Sequence, residues 1–185
     1  MLYTQKGDKG KTGLFCCNQK LTKGSLVAET LGSVDEINSL LGWCKVKAFE
    51  KNLLLGSKNR LAGETIDKIQ NHLFSIQAEI AGAGKKITAG KVKFLETIIN
   101  EIEKELPPIK SFFVAGGAEL SAMFDFARTI SRRAERRAVA AIDAGELKLG
   151  SQSLAYLNRL SSVLYALARA ANFRAGLAEK SPDYK

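Results

Sequence analysis

A stretch suited to binding an anion lies near the start of the chain. Thr4-Gln5-Lys6-Gly7-Asp8-Lys9-Gly10-Lys11-Thr12 interleaves glycines with lysines, hydroxyls and a carboxylate. Glycines let backbone N–H groups converge on a phosphate, lysines neutralise it, and a hydroxyl or carboxylate can contact the metal ion that accompanies a polyphosphate. The end of the stretch resembles a P-loop, but Gln5 stands where that motif needs its first glycine. Taken alone, the stretch fits a flexible charged N-terminus equally well.

A second group of charged residues has helical spacing. Arg128, Arg132 and Glu135 are four and three residues apart, so they share one flank of a helix. Polar partners are available at Asp35-Glu36 and at Asn158-Arg159, which interrupt two other helical patterns. An arginine run is usually a solvated basic face, but polar groups on several helix faces indicate a polar site between helices.

The net charge of +9 comes from 28 Lys+Arg against 19 Asp+Glu. Basic residues are dense in two places, residues 1–23 and residues 127–138. This distribution suits a small polyanion held between two segments at least as well as a nucleic-acid backbone. A basic helical nucleic-acid binder stays open as an alternative, and it would require exposed arginines and a steep salt dependence.

Histidine and cysteine do not predict a metal centre or a nucleophile. His72 is the only histidine, and a partly buried or surface position is expected for it because transition-metal sites need several soft donors. Cys16-Cys17 and Cys44 lack metal-ligand spacing. Their odd number is a poor disulfide framework and favours a reducing, cytoplasmic setting. We also expect no secretion signal and no membrane span, because no apolar run approaches about 18 residues.

Five apolar patterns with steps of three and four residues predict the helices that position these side chains. They run over residues 33–48, 62–80, 92–106, 120–138 and 154–171. Ser33 is the predicted N-cap of the first, with Glu36 completing a capping box, and Pro107-Pro108 ends the third. The prediction is a single all-α domain, an antiparallel five-helix bundle. A glycine-rich irregular segment (residues 1–32) precedes the bundle (33–176), and a polar tail (177–185) follows it.

The connection between the third and fourth predicted helices contains two adjacent aromatic residues. Phe112-Phe113 lies a short way before Gly116-Gly117. Such a pair could close the end of the bundle as core residues, or it could wall a flat apolar ligand.

Together these segments resemble the PduO-type ATP:cob(I)alamin adenosyltransferases. The resemblance covers residues 3–161 and rests on five stretches, which are residues 3–15 (YTQKGDKGKTGLF), 32–39 (GSVDEINS), 69–74 (IQNHLF), 127–136 (ARTISRRAER) and 156–161 (YLNRLS). It implies a five-helix fold in a homotrimer whose active sites lie between neighbouring subunits. It also implies the reaction: cob(I)alamin cobalt attacks C5′ of ATP, releasing triphosphate and forming adenosylcobalamin.

The resemblance also implies residue roles. ATP and Mg²⁺ are assigned to residues of the N-terminal segment, namely Thr4, Lys6, Gly7, Asp8, Gly10, Thr12 and Lys23. The nucleotide and catalytic positions on the helices are Arg128, Arg132, Glu135 and Asn158. Asp35 is expected to pair with Arg128 across subunits near the corrin, and Phe112 is expected to occupy the lower face of the corrin and exclude the axial ligand.

The sequence departs from the family pattern at four places. Ala115 replaces a proline, Asp125 replaces a histidine, Cys16-Cys17 replaces part of a glycine-rich turn, and Gly24-Ser25-Leu26 replaces Asp-Pro-Arg. The arginine–glutamate set is intact, so an enzyme is expected. A non-catalytic ATP or corrinoid sensor or carrier of the same fold is the alternative. The expected partners are ATP and reduced cobalamin, together with a flavin reductase and an adenosylcobalamin-dependent enzyme, but neither nucleic acid nor a membrane.

Overall fold

The computed structural model describes residues 2–14 and 20–184. Its helices are α1 (Leu26–Glu50), α2 (Ala62–Ile80), α3 (Ala89–Glu103), α4 (Glu119–Asp143) and α5 (Ser151–Arg174). An antiparallel pair, β1 (Lys11–Gly13) and β2 (Lys20–Thr22), precedes α1, and a shorter pair, β3 (Leu54–Leu55) and β4 (Arg60–Leu61), connects α1 to α2. The predicted five-helix fold is confirmed, and no helix in the described part of the chain has the length and apolarity of a membrane span.

Side-chain pairs between helices show that each helix runs opposite to the one before it. On α1 and α2, Asp35 bonds to Gln77 and Lys45 pairs with Asp67, so residue numbers rise on one helix as they fall on the other. Helices α3 and α5 run parallel where they meet: Glu96 of α3 pairs with Arg159, and Glu105, two residues beyond the end of α3, pairs with Arg174.

The first helix begins at Leu26, seven residues earlier than predicted. Ser25 is its N-cap, and its Oγ accepts a hydrogen bond from the backbone N–H three residues on at 3.3 Å. Ser33 is buried inside the helix, so its prediction as N-cap was wrong. Gly32 suggested a break, since glycine costs about 1 kcal/mol relative to alanine in a helix. Burial of Val27 in the core offsets that cost.

The remaining helices match their predicted patterns closely. The second spans residues 62–80 as predicted, and the fourth and fifth extend a few residues beyond their predicted ends. The third helix ends at Glu103, four residues before Pro107. Its Ile98 is buried, whereas the neighbouring Ile99 is only half-buried. Residues 104–118, between α3 and α4, form an extended connection that we call the aromatic loop. Residues 177–184 form the C-terminal tail.

An apolar core lies between the helices, and the half-buried His72 lies at its edge beside the fully buried Tyr156. Nδ1 of His72 lies 3.1 Å from the hydroxyl of Tyr156, and the imidazole also packs edge-on against Phe94. Burial, and to a smaller extent the nearby ammonium groups of Lys91 and Lys68, lower the pKa of His72 to about 4. His72 is half-buried, which agrees with the prediction of a partly buried or surface position.

Cys44 is the one free thiol of the described residues and faces the core from α1. Burial raises its pKa to about 12, so the thiol is protonated at neutral pH. Cys44 lies on the buried face of α1, within the apolar pattern of residues 33–48, whereas Cys16-Cys17 lies outside the described residues.

Candidate active site

A hydrogen-bonded chain of polar residues joins α4, α5 and α3. Asn158 donates from Nδ2 to Oε1 of Glu135 at 2.9 Å, and its Oδ1 accepts from Nη1 of Arg159 at 2.8 Å. Arg159 in turn lies 3.4 Å from Oε1 of Glu96. Because both ends of the Asn158 amide are bonded, its orientation is fixed, and Glu135 is held one helical turn from Arg132. Sequence analysis predicted Glu135 and Asn158 as site residues, and the structure brings them together.

The arginine run on α4 divides into two groups. Arg133 and Arg137 pair with Glu36 and Glu29, and so fasten α4 to α1. Arg132 points away from that contact, is exposed, and forms no hydrogen bond or ion pair within residues 2–14 and 20–184. Only part of the run is therefore structural, and Arg132 is left available for an anion.

Arg128 and Asp35 take different partners within one chain. Nε of Arg128 lies 3.3 Å from Oδ1 of Asp125, one turn back on the same helix. Asp35 accepts a hydrogen bond from Nε2 of Gln77 at 3.2 Å. Asp125, where the family pattern has histidine, therefore supplies Arg128 with a carboxylate, and the structure forms no Asp35–Arg128 pair inside a single chain.

The aromatic loop forms one wall of a groove of about 560 Å³. Its other lining residues include Arg128 of α4 and Tyr165 of α5, whose pKa is raised mainly by burial. Phe112 lies in this wall with 82% of its surface exposed, so it does not close the end of the bundle. Phe113, its neighbour, is half-buried. The groove thus combines an exposed aromatic ring with a guanidinium group.

The N-terminal segment is organised by its glycines. The Lys23 N–H donates to the Gly10 carbonyl at 2.9 Å, and Gly10 has a φ of +71°, a left-handed conformation that favours glycine. A Cβ at Gly7 would lie 3.1 Å from Nζ of Lys23, so the missing side chain lets that ammonium group approach the backbone. Leu14 and Leu21 pack against the core and hold the hairpin to the bundle.

The other predicted nucleotide ligands of the segment are open to solvent. Thr4, Lys6 and Asp8 are exposed and Thr12 is half-buried on β1. Their side chains form no hydrogen bond or ion pair with the rest of the described chain, and the structure records no such bond between this segment and Arg132. Their role in binding ATP therefore stays a prediction.

A divalent cation has no dedicated protein cage in the described part of the chain, where no three His, Cys, Asp or Glu residues cluster. Mg²⁺ is usually held by substrate phosphates together with one or two protein oxygens. The Asp8 carboxylate and the Thr12 hydroxyl are donors of this kind. The residues present therefore fit a nucleotide-borne Mg²⁺ and do not form a cage of their own.

Sequence reasoning missed two polar residues on α5, Arg169 and Asn172. Both are almost completely buried and both bond to the aromatic loop. A signal for them exists in the sequence, since they interrupt an aliphatic helical run three residues apart. Polar residues in such a run need buried partners.

The chain is similar to known proteins over most of its length. The family described as cobalamin adenosyltransferase matches residues 2–171. A corrinoid adenosyltransferase of Bacillus subtilis is 38% identical over 182 residues, covering 96% of this chain and 90% of that protein. The corrinoid adenosyltransferase PduO of Citrobacter freundii is 34% identical over 176 residues, 91% of this chain and 49% of that longer protein.

A solved structure shares the fold. It is that of a variant PduO-type ATP:corrinoid adenosyltransferase from Lactobacillus reuteri complexed with cobalamin and ATP. It aligns with a TM-score of 0.86 and 29% sequence identity, and covers 98% of this chain and 99% of that chain.

Proposed function

The chain belongs to the cobalamin adenosyltransferase family, and we propose how its residues divide the reaction between them. It is an enzyme that transfers the 5′-deoxyadenosyl group of ATP to the cobalt of cob(I)alamin, forming adenosylcobalamin and releasing triphosphate. The observation that supports the assignment of roles is the arrangement on α4 and α5: Asn158 fixes Glu135, and Arg132, one turn away, has no partner among the described residues.

The polyphosphate end of ATP is assigned to Arg132 and the N-terminal segment. Negative charge develops on the triphosphate as the C5′–O bond breaks, and a positioned guanidinium stabilises it without any proton transfer. Lys6 and Lys23 add positive charge, and the backbone N–H groups around Gly7 and Gly10 can converge on phosphate oxygens. Glu135, held by Asn158, orients Arg132 or contacts the ribose.

Mg²⁺ is proposed to accompany the triphosphate. When bound, it neutralises part of the phosphate charge. Asp8, Thr4 and Thr12 are the residues whose oxygens would face it.

The corrin is proposed to bind in the groove lined by Phe112, Arg128 and Tyr165. Reduction of cobalt to the strongly nucleophilic cob(I) state is easier once the lower axial ligand has left. An apolar ring on the lower face removes that ligand by occupying its space, which requires no acid or base. The exposure of Phe112 supports this role, because a ring packed in the bundle could not contact a ligand.

A homotrimer with sites between subunits is proposed from two exposed surfaces. The first carries the exposed rings of Trp43 on α1 and Phe74 on α2, the two helices joined by the hydrogen bond from Gln77 to Asp35. The second, on α4, places the exposed ring of Phe126 beside Arg128. Two different surfaces that meet head to tail can close into a ring, and Asp35 would then reach the neighbouring subunit's Arg128.

The mass of the assembly tests this proposal. Light scattering at micromolar concentration should give three times the chain mass of 20.1 kDa. Asp35→Lys should dissociate the assembly or weaken corrin binding, since it places two like charges together. An active monomer at that concentration would contradict the trimer.

A reducing, cytoplasmic location is also proposed, supported by the free thiol of Cys44. A flavin reductase that supplies the electron and an adenosylcobalamin-dependent enzyme that receives the product are the proposed protein partners, because the reaction consumes a reduced corrinoid and yields that coenzyme.

The roles of Arg132 and Glu135 are tested by cobalt–carbon bond formation, followed by absorbance with chemically reduced cobalamin and MgATP. Arg132→Ala and Glu135→Ala should each lower kcat by roughly 10²–10³-fold with the fold intact. Arg137→Ala is the matched control, since it removes an arginine of the same helix that pairs with α1, and it should retain near-normal kcat. Near-normal turnover in both site variants would place the site elsewhere on α4.

A further inference from the structure

The aromatic loop is fastened to α5 near both of its ends. At its start, Nη2 of Arg169 donates to the Pro107 carbonyl at 2.9 Å. At its end, Nδ2 of Asn172 donates to the Gly116 carbonyl, and Oδ1 of the same amide accepts from the Ala118 N–H, both at 2.9 Å. Arg169 and Asn172 are three residues apart and share one face of the helix. One helical turn therefore holds the loop where it begins and where it ends.

Arg169 is buried and takes its charge partner from the C-terminal tail. The exposed fraction of Arg169 is 5%. Its Nε and Nη2 donate hydrogen bonds to the two carboxylate oxygens of Glu179, both at 2.9 Å, in a bidentate pair. A buried guanidinium without a carboxylate is strongly unfavourable. The tail is thus held against α5 by the same arginine that holds the start of the loop.

The tail also bonds directly to the aromatic loop. The Val114 N–H donates to the Lys180 carbonyl at 2.8 Å, and the hydroxyls of Ser111 and Ser181 lie 2.8 Å apart. The loop therefore has α5 on one side and the tail on another. Phe113 adds a further contact, since the guanidinium of Arg169 lies 5.5 Å from the centre of its ring.

Phe112 has little packing of its own, so its position depends on the backbone of the loop. Gly116 and Gly117 have φ values of +114° and +104°, and glycine restricts the backbone less than any other residue. Ala115 gives no proline restraint on φ. The bonds to Asn172 supply the restraint that the local sequence lacks.

We propose that Arg169, Asn172 and Glu179 are positioning residues that hold Phe112 toward the corrin. This inference rests on the proposed role of Phe112 and extends it to side chains that do not contact substrate. It assigns a function to the C-terminal tail, which supplies the charge that keeps Arg169 on the Pro107 carbonyl.

Glu179→Gln tests the proposal because it removes the charge and keeps the shape. In this variant, cob(II)alamin bound with MgATP should shift from the four-coordinate toward the five-coordinate spectrum. Turnover that starts from cob(II)alamin and a reductant should fall by roughly 10- to 100-fold. Turnover that starts from cob(I)alamin, which needs no ligand removal, and the KM for ATP should stay close to wild type. A merely structural defect would lower both turnovers together.

Two further variants keep the test decisive. Arg169→Met combined with Glu179→Leu replaces the buried ion pair by apolar side chains, a change that usually preserves folding. It should give the same spectral shift, because the Pro107 carbonyl loses its donor. Glu101→Gln is the matched control, since it removes the charge of a similarly buried carboxylate that pairs with Lys58 and Arg60, outside the aromatic loop and the tail. It should keep the four-coordinate spectrum.

Phe112→Ala separates failure of this inference from failure of the proposed function. If Phe112→Ala stays four-coordinate, the role of Phe112 is wrong, and the inference falls with it. If Phe112→Ala becomes five-coordinate while the folded Arg169→Met/Glu179→Leu protein keeps the wild-type spectrum, the positioning role is overturned and the role of Phe112 stands.

Discussion

The described residues of the N-terminal segment (2–14 and 20–25) and the aromatic loop both contain glycines and lack helix, but they are held very differently. The N-terminal segment is attached by a three-residue strand pair and two partly buried leucines, and its lysines are exposed. The aromatic loop is bonded to α5 near both ends and to the C-terminal tail in between. The N-terminal segment therefore has side chains free to bind a ligand, whereas the aromatic loop is already held by contacts within the chain.

The difference follows from the task proposed for each region. A triphosphate brings its own charge and metal ion, so a segment that surrounds it gains its contacts when the ligand arrives. A ring that must exclude a ligand from cobalt gains nothing from flexibility, because a mobile ring would let the ligand return. Only the aromatic loop, whose proposed task is to keep a ligand away from cobalt, therefore needs to be held in place before the substrate binds.

We expect the largest loss of activity when the positive charge that the N-terminal segment offers to phosphate is removed. Lys6→Ala combined with Lys23→Ala should lower kcat/KM for ATP by roughly 10²-fold or more, since each charged hydrogen bond is worth about 1.5–3 kcal/mol. Thermal stability should hardly change, because both side chains are exposed. Steady-state kinetics measures the first and calorimetry the second.

Lys85→Ala combined with Lys86→Ala is the control for that experiment. These lysines are also exposed and removing them changes the net charge equally. If this pair loses as much ATP affinity, overall charge rather than the segment is responsible.

A glycine substitution in each region compares their rigidity directly. A Cβ at Gly117 would lie 2.4 Å from Oδ1 of Asn172, while a Cβ at Gly10 would have nothing within 4 Å. Both positions have a positive φ. We expect Gly117→Ala to cost about 3 kcal/mol of unfolding free energy from strain and overpacking together. Gly10→Ala should cost about 1 kcal/mol from strain alone.

Denaturant unfolding at one fixed protein concentration measures both, since the stability of an oligomer depends on concentration. Equal costs at Gly10 and Gly117 would mean that the loop moves as freely as the N-terminal segment, and the contrast between the two regions would be lost.

Amide exchange should show the contrast without any mutation. MgATP should slow exchange in residues 2–13 by about tenfold or more, because ligand contacts replace solvent contacts. The Val114 amide, already bonded to the Lys180 carbonyl, should exchange slowly before and after. Slow exchange of residues 2–13 without nucleotide would show that this segment is also held in advance.

We expect the smallest effect from lowering the pH, which changes the free energy of unfolding through His72. Because His72 lies in the helical bundle, this effect serves as a reference for the two irregular regions. The folded pKa of His72 is about 4, below its ordinary value of 6.5, so the unfolded chain binds the proton more readily between these pH values. Stability from this group is complete above about pH 6.5 and is lost as the pH falls toward 4. Between pH 7 and 5 we expect a loss of about 1 kcal/mol, allowing for partial exposure.

His72→Gln should flatten this dependence in thermal unfolding measured across the same pH range. An unchanged slope would assign the acid sensitivity to other groups.

The helices were predictable because burial imposes a repeating pattern on the sequence. The face of α2 from Ala62 to Ile80 shows this clearly, and its bounds agree with the prediction. The start of α1 was not predictable in the same way. Gly32 inside the helix resembles a break until the packing of its neighbours is known, and the sequence pattern therefore favours Ser33 over Ser25 as the cap.

Residues of the candidate site were predictable where they stand out in the pattern of a single helix or in a family motif. The pattern Arg128, Arg132, Glu135 places three side chains on one flank of α4, and Asn158 was recognised through a family motif. The bond from Arg169 to Pro107 joins positions 62 residues apart. Neither residue has a local pattern that predicts the other, because such a contact depends on how α3, α5 and the tail pack together.

The two anchors on α5 also make the aromatic loop an exchangeable part for protein engineering. Arg169 and Asn172 hold the loop through backbone atoms of Pro107, Gly116 and Ala118, so these bonds do not depend on the side chains between residues 109 and 115. Changing the length of a loop with fixed ends costs little, since closure entropy grows only logarithmically. Libraries confined to these seven positions can therefore be screened for enzymes that accept altered corrinoids while the helical scaffold is left untouched.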